Sequence, residues 1–478
     1  MLWLGLYFPN LPLEVYTRAS ALTHPLIVCD GPGRERLVLR ANSAAARLGI
    51  APGLRASAAL ALANDLRVAA RDPNLERHAL HRLAAWAGQF SSLVHPVAPH
   101  TLLLEVGGSL RLFRDLENLL TQIELGLAEL GFGAQCAVAP TKLAASWLAR
   151  AGRDAQITDS ARLAGAVGEL SLSVLDLAPA QLARLKGMGV TQVGDCLRLP
   201  RDGLARRLGL AFVQQLDQAL GHMPDPRAPF VPPATFDSRL ELPGTVENVE
   251  SLVFALNRLV AELCGELRAR TAGVRTLTLM LTHPRVAAST IELRLTALTR
   301  DPKHLIELFR ERLSRFELAE PVEALALRAA ELLPLGTPTI DLFAPRQASE
   351  EFAAALIERL RARLGEKAVR TVHAIPEHRP ERAHGYSAPV TAQAVINSGE
   401  RPFWILPEPV PLKQVGDQPW IGSALDLDGR AERIESGWWD EADIGRDYFV
   451  ARNRAGECYW IFRETRLPQR WWLHGIFG

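Results

Sequence analysis

Trp3 to Pro12 reads WLGLYFPNLP, an apolar run closed by a Pro-Asn-Leu-Pro turn. A short apolar run bounded by turn residues reads as a buried strand. Pro9 and Pro12 stop it well short of the ~20 residues a membrane span needs. Further along, LIVC (26–29) and RLVLR (36–40) read as two more strands, and helical patterns follow at 42–48, 56–64 and 75–90. TLLLEV (101–106) reads as a strand, followed by helices near 115–130 and 141–151. This alternation to about residue 165 predicts an α/β or α+β domain. Residues 166–228 carry Leu at helical spacing and no convincing strand, which predicts a small helical domain. Pro224, Pro226, Pro229, Pro232 and Pro233 then read as a linker. After it come helix (246–270), strand (274–282), strand (290–298), helix (302–315) and strand (322–330), a second α+β unit.

At 478 residues the chain exceeds what one core supports. Its 48% hydrophobic and 22% charged residues are those of a globular protein. Lys plus Arg number 54 against 53 Asp plus Glu, so any nucleic-acid surface must be local. Cys29, Cys136, Cys196, Cys264 and Cys458 are scattered and never in C-x-x-C spacing, which argues against a disulfide framework or zinc site and suits a reducing cytoplasm. Seven of the ten tryptophans fall in residues 400–478, a composition shift that marks a separate C-terminal module. A polar stretch before it, Ile375 to Gly385, reads as a tether.

The order of units, with NSAAARLGIAPG (Asn42 to Gly53) and AVAPTKLAAS (Ala137 to Ser146), resembles the Y-family (DinB/UmuC-like) DNA polymerases. RPFWILPEPVPL (Arg401 to Leu412), RIESGWWD (Arg433 to Asp440), GRDYFVARN (Gly445 to Asn453), CYWIFRE (Cys458 to Glu464) and WWLHGIFG (Trp471 to Gly478) resemble the tail of its ImuB subgroup. The resemblance implies a multidomain α+β fold. Its parts are a palm (1–165) with inserted fingers (about 20–75), a helical thumb (166–235) with a degenerate helix-hairpin-helix, and an α+β little finger (236–335). A clamp-binding loop, helix and linker (336–399) and a small aromatic-rich β module (400–478) follow.

Active members hold two divalent metals on carboxylates of adjacent palm strands. Aligned with their D-x-D-x-F-F and S-I-D-E-A-Y-L-D motifs, this chain has Leu6 and Phe8, then His100 and Thr101, at the acid positions. Glu105 matches a downstream acid that is no ligand. His100 and Glu105 do not make a replacement site, because five residues along a strand put them on opposite faces. Ser43 and Ala46 replace the Tyr and Arg that grip the triphosphate, and Lys142 is the one phosphate-facing residue kept. The chain is therefore expected to be a non-catalytic adapter without metal or cofactor. Its rivals are an active translesion polymerase and a damaged-DNA sensor.

DNA contact, by resemblance, falls to Lys142, to the thumb string Leu175 to Pro200, and to Arg268, Arg270 and Arg275. In the thumb, Leu177, Ala178 and Pro179 stand in place of hairpin glycines, while Gly187 and Gly189 remain. The alternative readings are helical packing for the thumb and dipole-satisfying arginines for the little finger. Thr339, Ile340, Asp341, Leu342 and Phe343 (TIDLF) resemble a sliding-clamp peptide, with Leu342 and Phe343 as anchors; an apolar pair packing on its own domain is the other reading. In the tail, Trp438, Trp439, Tyr448, Trp460, Trp471 and Trp472 form either the core of a small sheet or a partner surface. The resemblance implies the partners of an SOS mutasome in the cytoplasm and nucleoid: sliding clamp, a RecA-like accessory protein, an error-prone C-family polymerase, and DNA bound weakly by its backbone.

Overall fold

The computed structural model describes residues 1–19, 24–336, 356–365, 368–387 and 401–477. Two compact units make up the chain, Met1–Arg363 and Leu364–Gly478.

In the first unit, the N-terminal strand β1 (Trp3–Tyr7) lies between β6 (Thr101–Glu105) and β7 (Gln135–Ala139), and β5 (Val94–Val97) extends the sheet in the order β5-β6-β1-β7. Alternation along β1 sorts its side chains. Leu4 and Leu6, with Phe8 beyond the strand, enter a core shared with α4 (Pro73–Ala87) and α5 (Leu116–Leu130). Trp3 and Tyr7 face α6 (Lys142–Arg150). Gly5 lets that helix close on the sheet, since a Cβ there would overlap the Ala145 carbonyl. Local chemistry sets the helix starts: Asp72 accepts from the Asn74 and Leu75 amides ahead of Pro73, Asp115 accepts from Asn118, and Thr141 from Ala144.

Between α1 (Leu11–Thr17) and α4 a small sheet is inserted, β2 (Leu26–Asp30), β3 (Leu37–Ala41) and β4 (Arg67–Ala70) in the order β3-β2-β4. It packs on α2 (Ser43–Arg47), capped by Asn42, and α3 (Ala56–Leu62). After α6 come α7 (Leu163–Gly168), α8 (Pro179–Gly187), α9 (Val193–Arg198), α10 (Arg201–Leu208) and α11 (Leu210–Leu220), with no strand among them. The Pro-rich stretch that reads as a linker is instead a strap along the edge strand β5. Phe230 donates its amide to Val94 O (2.9 Å), His95 Nδ1 bonds Ala228 O (2.9 Å), and the Phe230 ring meets His81. Covering an edge in this way blocks strand pairing with other chains.

A second sheet, in the order β10-β9-β11-β8, joins β8 (Phe236–Val246), β9 (Ala272–Thr282), β10 (Ser289–Thr299) and β11 (Val322–Ala329), and β12 (Leu333–Pro334) adds to β9. It shares a core with α12 (Val249–Ala269) and α13 (Pro302–Leu313). β8 was not legible in advance, because Pro243 and Gly244 interrupt its pattern. The helix expected from 246 begins only after the Asn248 cap. α12 also packs against α4. Trp86 is wedged between Gly126 of α5 and Gly265 of α12, where any Cβ would overlap its ring. Beside it Arg82 donates to Glu262 and Glu266 (both 2.6 Å), and Arg18 reaches Glu262 at 3.4 Å. All four ions are buried.

The second unit contains the hairpin β13 (Thr371–Ala374) and β14 (His384–Ser387) and a sheet in the order β15-β22-β21-β20-β19. That sheet is formed by β15 (Trp404–Pro411), β19 (Asp426–Ser436), β20 (Ile444–Arg452), β21 (Cys458–Glu464) and β22 (Trp471–Ile476). A small sheet, β16 (Lys413–Val415), β17 (Gln418–Ile421) and β18 (Ser423–Ala424), completes it. The stretch Ile375 to Gly385 is packed rather than a free tether. Arg379 is buried and forks onto Asp440 (2.9 and 2.7 Å) and Glu377 (2.7 Å), and Arg446 meets Glu381 at 3.1 Å.

Burial works to raise the Glu262 carboxyl, but Arg82 and Arg18 outweigh it and hold the group below its usual range. Arg82→Met leaves Glu262 and Glu266 short of their shared cation and is expected to cost about 3–5 kcal/mol in denaturant unfolding. The exposed Arg294→Met, which breaks a surface pair with Glu292, should cost under about 0.5 kcal/mol.

Candidate functional site

The candidate site is the face of the first sheet that carries Tyr7 and Thr101. These two are register partners across β1 and β6, and cross-strand partners share a face. Leu6 pairs with Leu102 and points, with Phe8, into the helix-packed core; both are fully buried. The alignment that puts Leu6 and Phe8 at the acid positions thus places both in that core, away from the face of Thr101. On the face that Thr101 shares, β1 presents Tyr7, which carries no carboxylate.

His100 sits just before β6, and its carbonyl accepts the Phe8 amide at 2.8 Å. Its Nε2 lies 3.1 Å from Glu76 Oε2. Glu76 is also forked by Arg71 (2.8 and 3.0 Å), and Arg71 reaches Asp30 at 3.0 Å. Burial works to raise the Glu76 carboxyl, yet the bonds to His100 and Arg71 hold it down at about 2. Glu105 turns away and accepts the amides of Leu2, Gly107 and Gly108 at 3.1–3.2 Å. Thr101 is buried, with its hydroxyl unpartnered among the described residues. A pair of magnesium ions requires converging hard oxygen donors. Tyrosine, threonine and an occupied histidine do not provide them, so the face does not fit that metal pair. Among the described residues no group of three or more His, Cys, Asp or Glu is placed to hold a metal ion.

The groups that would hold a triphosphate are also occupied or missing. Ser43 and Ala46 are exposed on α2 and carry no charge. Lys142 Nζ donates to Asp225 O of the strap (2.8 Å) and lies over the Trp3 ring at 4.7 Å, and burial lowers its pKa. Arg40 of β3, not singled out in the sequence, donates to Pro9 O (2.8 Å) and so ties the inserted sheet to the end of β1. No local pattern announces Arg40, Glu76 or Asp225; their partners are distant in sequence.

In the helical segment, Gly187 ends α8 and Gly189 takes a positive φ of 78° in the turn to α9. The amides that follow, of Thr191 and Gln192, already bind the Asp195 carboxylate (2.9 and 3.0 Å). Ahead of Pro179, the Ala178 amide is taken by Gln181 Oε1 (3.0 Å), and Leu177 is packed against the segment's core. Arg268 lies 3.4 Å from Gln89 Oε1, Arg270 binds Glu266 (2.6 Å) and the Pro233 carbonyl, and Arg275 is exposed on β9. The three do not converge on one unpaired basic patch. Thr339, Ile340, Asp341, Leu342 and Phe343 lie outside the described residues.

The tail aromatics divide. Tyr448, Trp460 and Trp471 are core residues, 1%, 2% and 4% exposed, and Trp472 is half-buried. Tyr448 stacks on Trp460 at 4.2 Å and bonds buried His474 at 2.7 Å, whose pKa burial drives down to about 4. Of the two readings of these aromatics, the burial of Tyr448, Trp460 and Trp471 supports the sheet core, and half-buried Trp472 packs beside them. Trp438 and Trp439 stand out at 79% and 56% exposure, edge to face, on the β19–β20 turn that Asp440 and Arg379 brace.

Residues 13–150 match the model of the impB/mucB/samB family, and 238–342 match the model of that family's C-terminal domain. The chain is 30% identical over 459 residues to Protein ImuB of Caulobacter vibrioides (strain NA1000 / CB15N), covering 90% of this chain and 100% of that one. Among solved structures, a Y-family DNA polymerase chimera of Dbh and Dpo4 matches at 17% identity and TM-score 0.39, over 69% of this chain and 98% of that one. A post-insertion binary complex of Dbh DNA polymerase matches at 16% and 0.40, over 70% and 99%.

Trp460→Ala is expected to destabilise the second unit by about 3–5 kcal/mol. The double change of Trp438 and Trp439 to Ala should stay within about 0.5 kcal/mol, because neither ring fills the core. Thermal unfolding followed by tryptophan fluorescence distinguishes them.

Proposed function

The chain belongs to the impB/mucB/samB family of Y-family DNA polymerase-like proteins, and we propose that within it this member is a non-catalytic adapter of SOS-induced translesion synthesis and mutagenesis. One observation carries the reading. The positions aligned with the metal-gripping carboxylates hold Leu6, Phe8, His100 and Thr101, Tyr7 stands on the face that Thr101 shares, and Glu76, the acid that bonds His100, is committed to Arg71 as well. A chain lacking chemistry of its own acts by holding other molecules together, since tethered sites raise the effective concentration of one partner near another.

The partners proposed are the sliding clamp, through Thr339 to Phe343, a RecA-like accessory protein and an error-prone C-family polymerase. The exposed pair Trp438 and Trp439 is proposed as the tail's contact, because tryptophan dominates interface hot spots. DNA contact is proposed as weak and backbone-directed, with exposed Arg275 as its best-supported residue. The setting proposed is the cytoplasm and nucleoid; no helix among the described residues is long and apolar enough to cross a membrane. No observation favours an active polymerase.

Purified protein is expected to incorporate no nucleotide on a primed template with magnesium or manganese. His100→Asp with Thr101→Glu should restore nothing, since β1 still offers no acid. Template-dependent extension by the wild type would overturn the proposal. In a separate binding assay, replacing Leu342 and Phe343 with Ala removes two anchors of about 2 kcal/mol each and should weaken clamp binding at least tenfold. Unchanged affinity there would make the segment structural and leave the catalytic question untouched.

A further inference from the structure

Strand β7 is the outer strand of the first sheet on the side away from the strap. Its free edge is half covered. Val138 donates to Ala155 O and accepts from the Ile157 amide, both at 2.8 Å, which forms a parallel bridge to a single turn of chain. Backbone groups alternate along a strand, so the N–H and C=O of Cys136 point the same way as those of Val138. Nothing in the described chain pairs with that edge beyond the bridge. The uncovered part is the floor of a groove of about 520 Å³ between α5 and the 154–156 segment, lined in part by Leu127, Ala128, Cys136 and Ala155. Glu124 and Asp154 rim it. Both are exposed, and neither has a cationic partner among the described residues. Both act on the Cys136 thiol, which burial first and then these charges push up to about 11. α5 carries Glu117, Glu124 and Glu129 with no Lys or Arg, and all three are exposed.

We infer that this groove is a docking site for an extended, basic segment of a partner protein, which adds to the β7 edge as a strand beside α5. An open strand edge offers main-chain hydrogen bonds to any extended peptide, and the flanking pockets choose its side chains. The half-buried Leu120 and the exposed Ala128 of α5 form an apolar wall that takes small aliphatic side chains on one face. The Glu124 and Asp154 carboxylates take lysine or arginine at the rim, where opposite charge steers the encounter. The 154–157 segment limits the length of the added strand and fixes where it stops. The surface lies on the sheet edge opposite the strap, so it does not depend on the adapter reading or on the tail.

The test uses the full-length protein and a short fluorescent peptide alternating lysine and valine. Its counterparts are the same peptide N-methylated at alternate amides, and one with glutamate in place of lysine. The parent peptide should bind and slow hydrogen exchange at the Cys136 amide. N-methylation on the pairing edge should abolish that protection, and the glutamate peptide should not bind. The double variant Glu124→Lys, Asp154→Lys changes only exposed residues and should weaken the parent peptide at least about tenfold. Failure of the parent peptide to bind, or binding without protection at Cys136, overturns the inference. Equal binding of the N-methylated peptide overturns it as well, since attraction would then be by charge alone.

Discussion

The buried ions Arg18, Arg82, Glu262 and Glu266 fix how the second α+β region sits on the first, and much else in the Met1–Arg363 unit follows from that placement. Positions 258, 262, 266 and 270 of α12 and its end, four apart, lie on one helical face and read Arg, Glu, Glu, Arg. Seated as it is, the helix sets both glutamates against Arg82. A slip by one turn either way would bring an arginine against Arg82 in a buried place, where an unpaired charge costs several kcal/mol. The wedge of Trp86 against Gly126 and Gly265 supplies the apolar contact, and the ions supply its register. Arg82 also lies over the Phe236 ring at 4.3 Å, so the first residue of β8 is held by the same contact.

The same economy governs the face where a polymerase would work. Groups suited to bind phosphate or metal are present, but each is turned toward another part of the chain. Arg40 holds the Pro9 carbonyl, Arg71 and His100 share Glu76, Lys142 holds the Asp225 carbonyl, and Asp195 fills the amides at the start of α9. Three of these contacts join segments far apart in sequence. They close the structure around the site instead of leaving it ready for a ligand. The Asp195 carboxylate takes the Thr191 and Gln192 amides just ahead of α9, so these two donors are already used within the chain.

The sequence disclosed what periodicity and punctuation encode. The strand at Trp3–Tyr7 and the helices near 115–130 and 141–151 were legible because apolar runs and helical periodicity act locally. Strand register was not. Leu6 and Tyr7 differ by one residue, and a shift of one sends a side chain to the other face. The strap was misread for a related reason: proline content marks an extended backbone but does not say whether a neighbour holds it. Trp460 and Trp438 are alike in composition, and only the sheet's pairing separates a core ring from an exposed one.

The outward face of the second sheet bears on how such a chain can meet DNA at all. Arg328 pairs with Asp237 at 3.0 Å, Arg239 with Glu241 at 2.7 Å and Arg294 with Glu292 at 3.0 Å. Each is an exposed pair, individually worth about 0–1 kcal/mol, so a phosphate could displace any one carboxylate. The displaced carboxylates would remain beside the phosphates, however, and repel them. Three arginines set against three acids leave the face close to neutral, where counterion release, the main source of backbone affinity, has little to act on. With a whole-chain net charge of only +1, the chain has no general attraction to make up the difference. On the adapter function proposed above, residence on DNA is expected to come from partners already bound there, which would put the demand on short docking elements and not on the polymerase-like body.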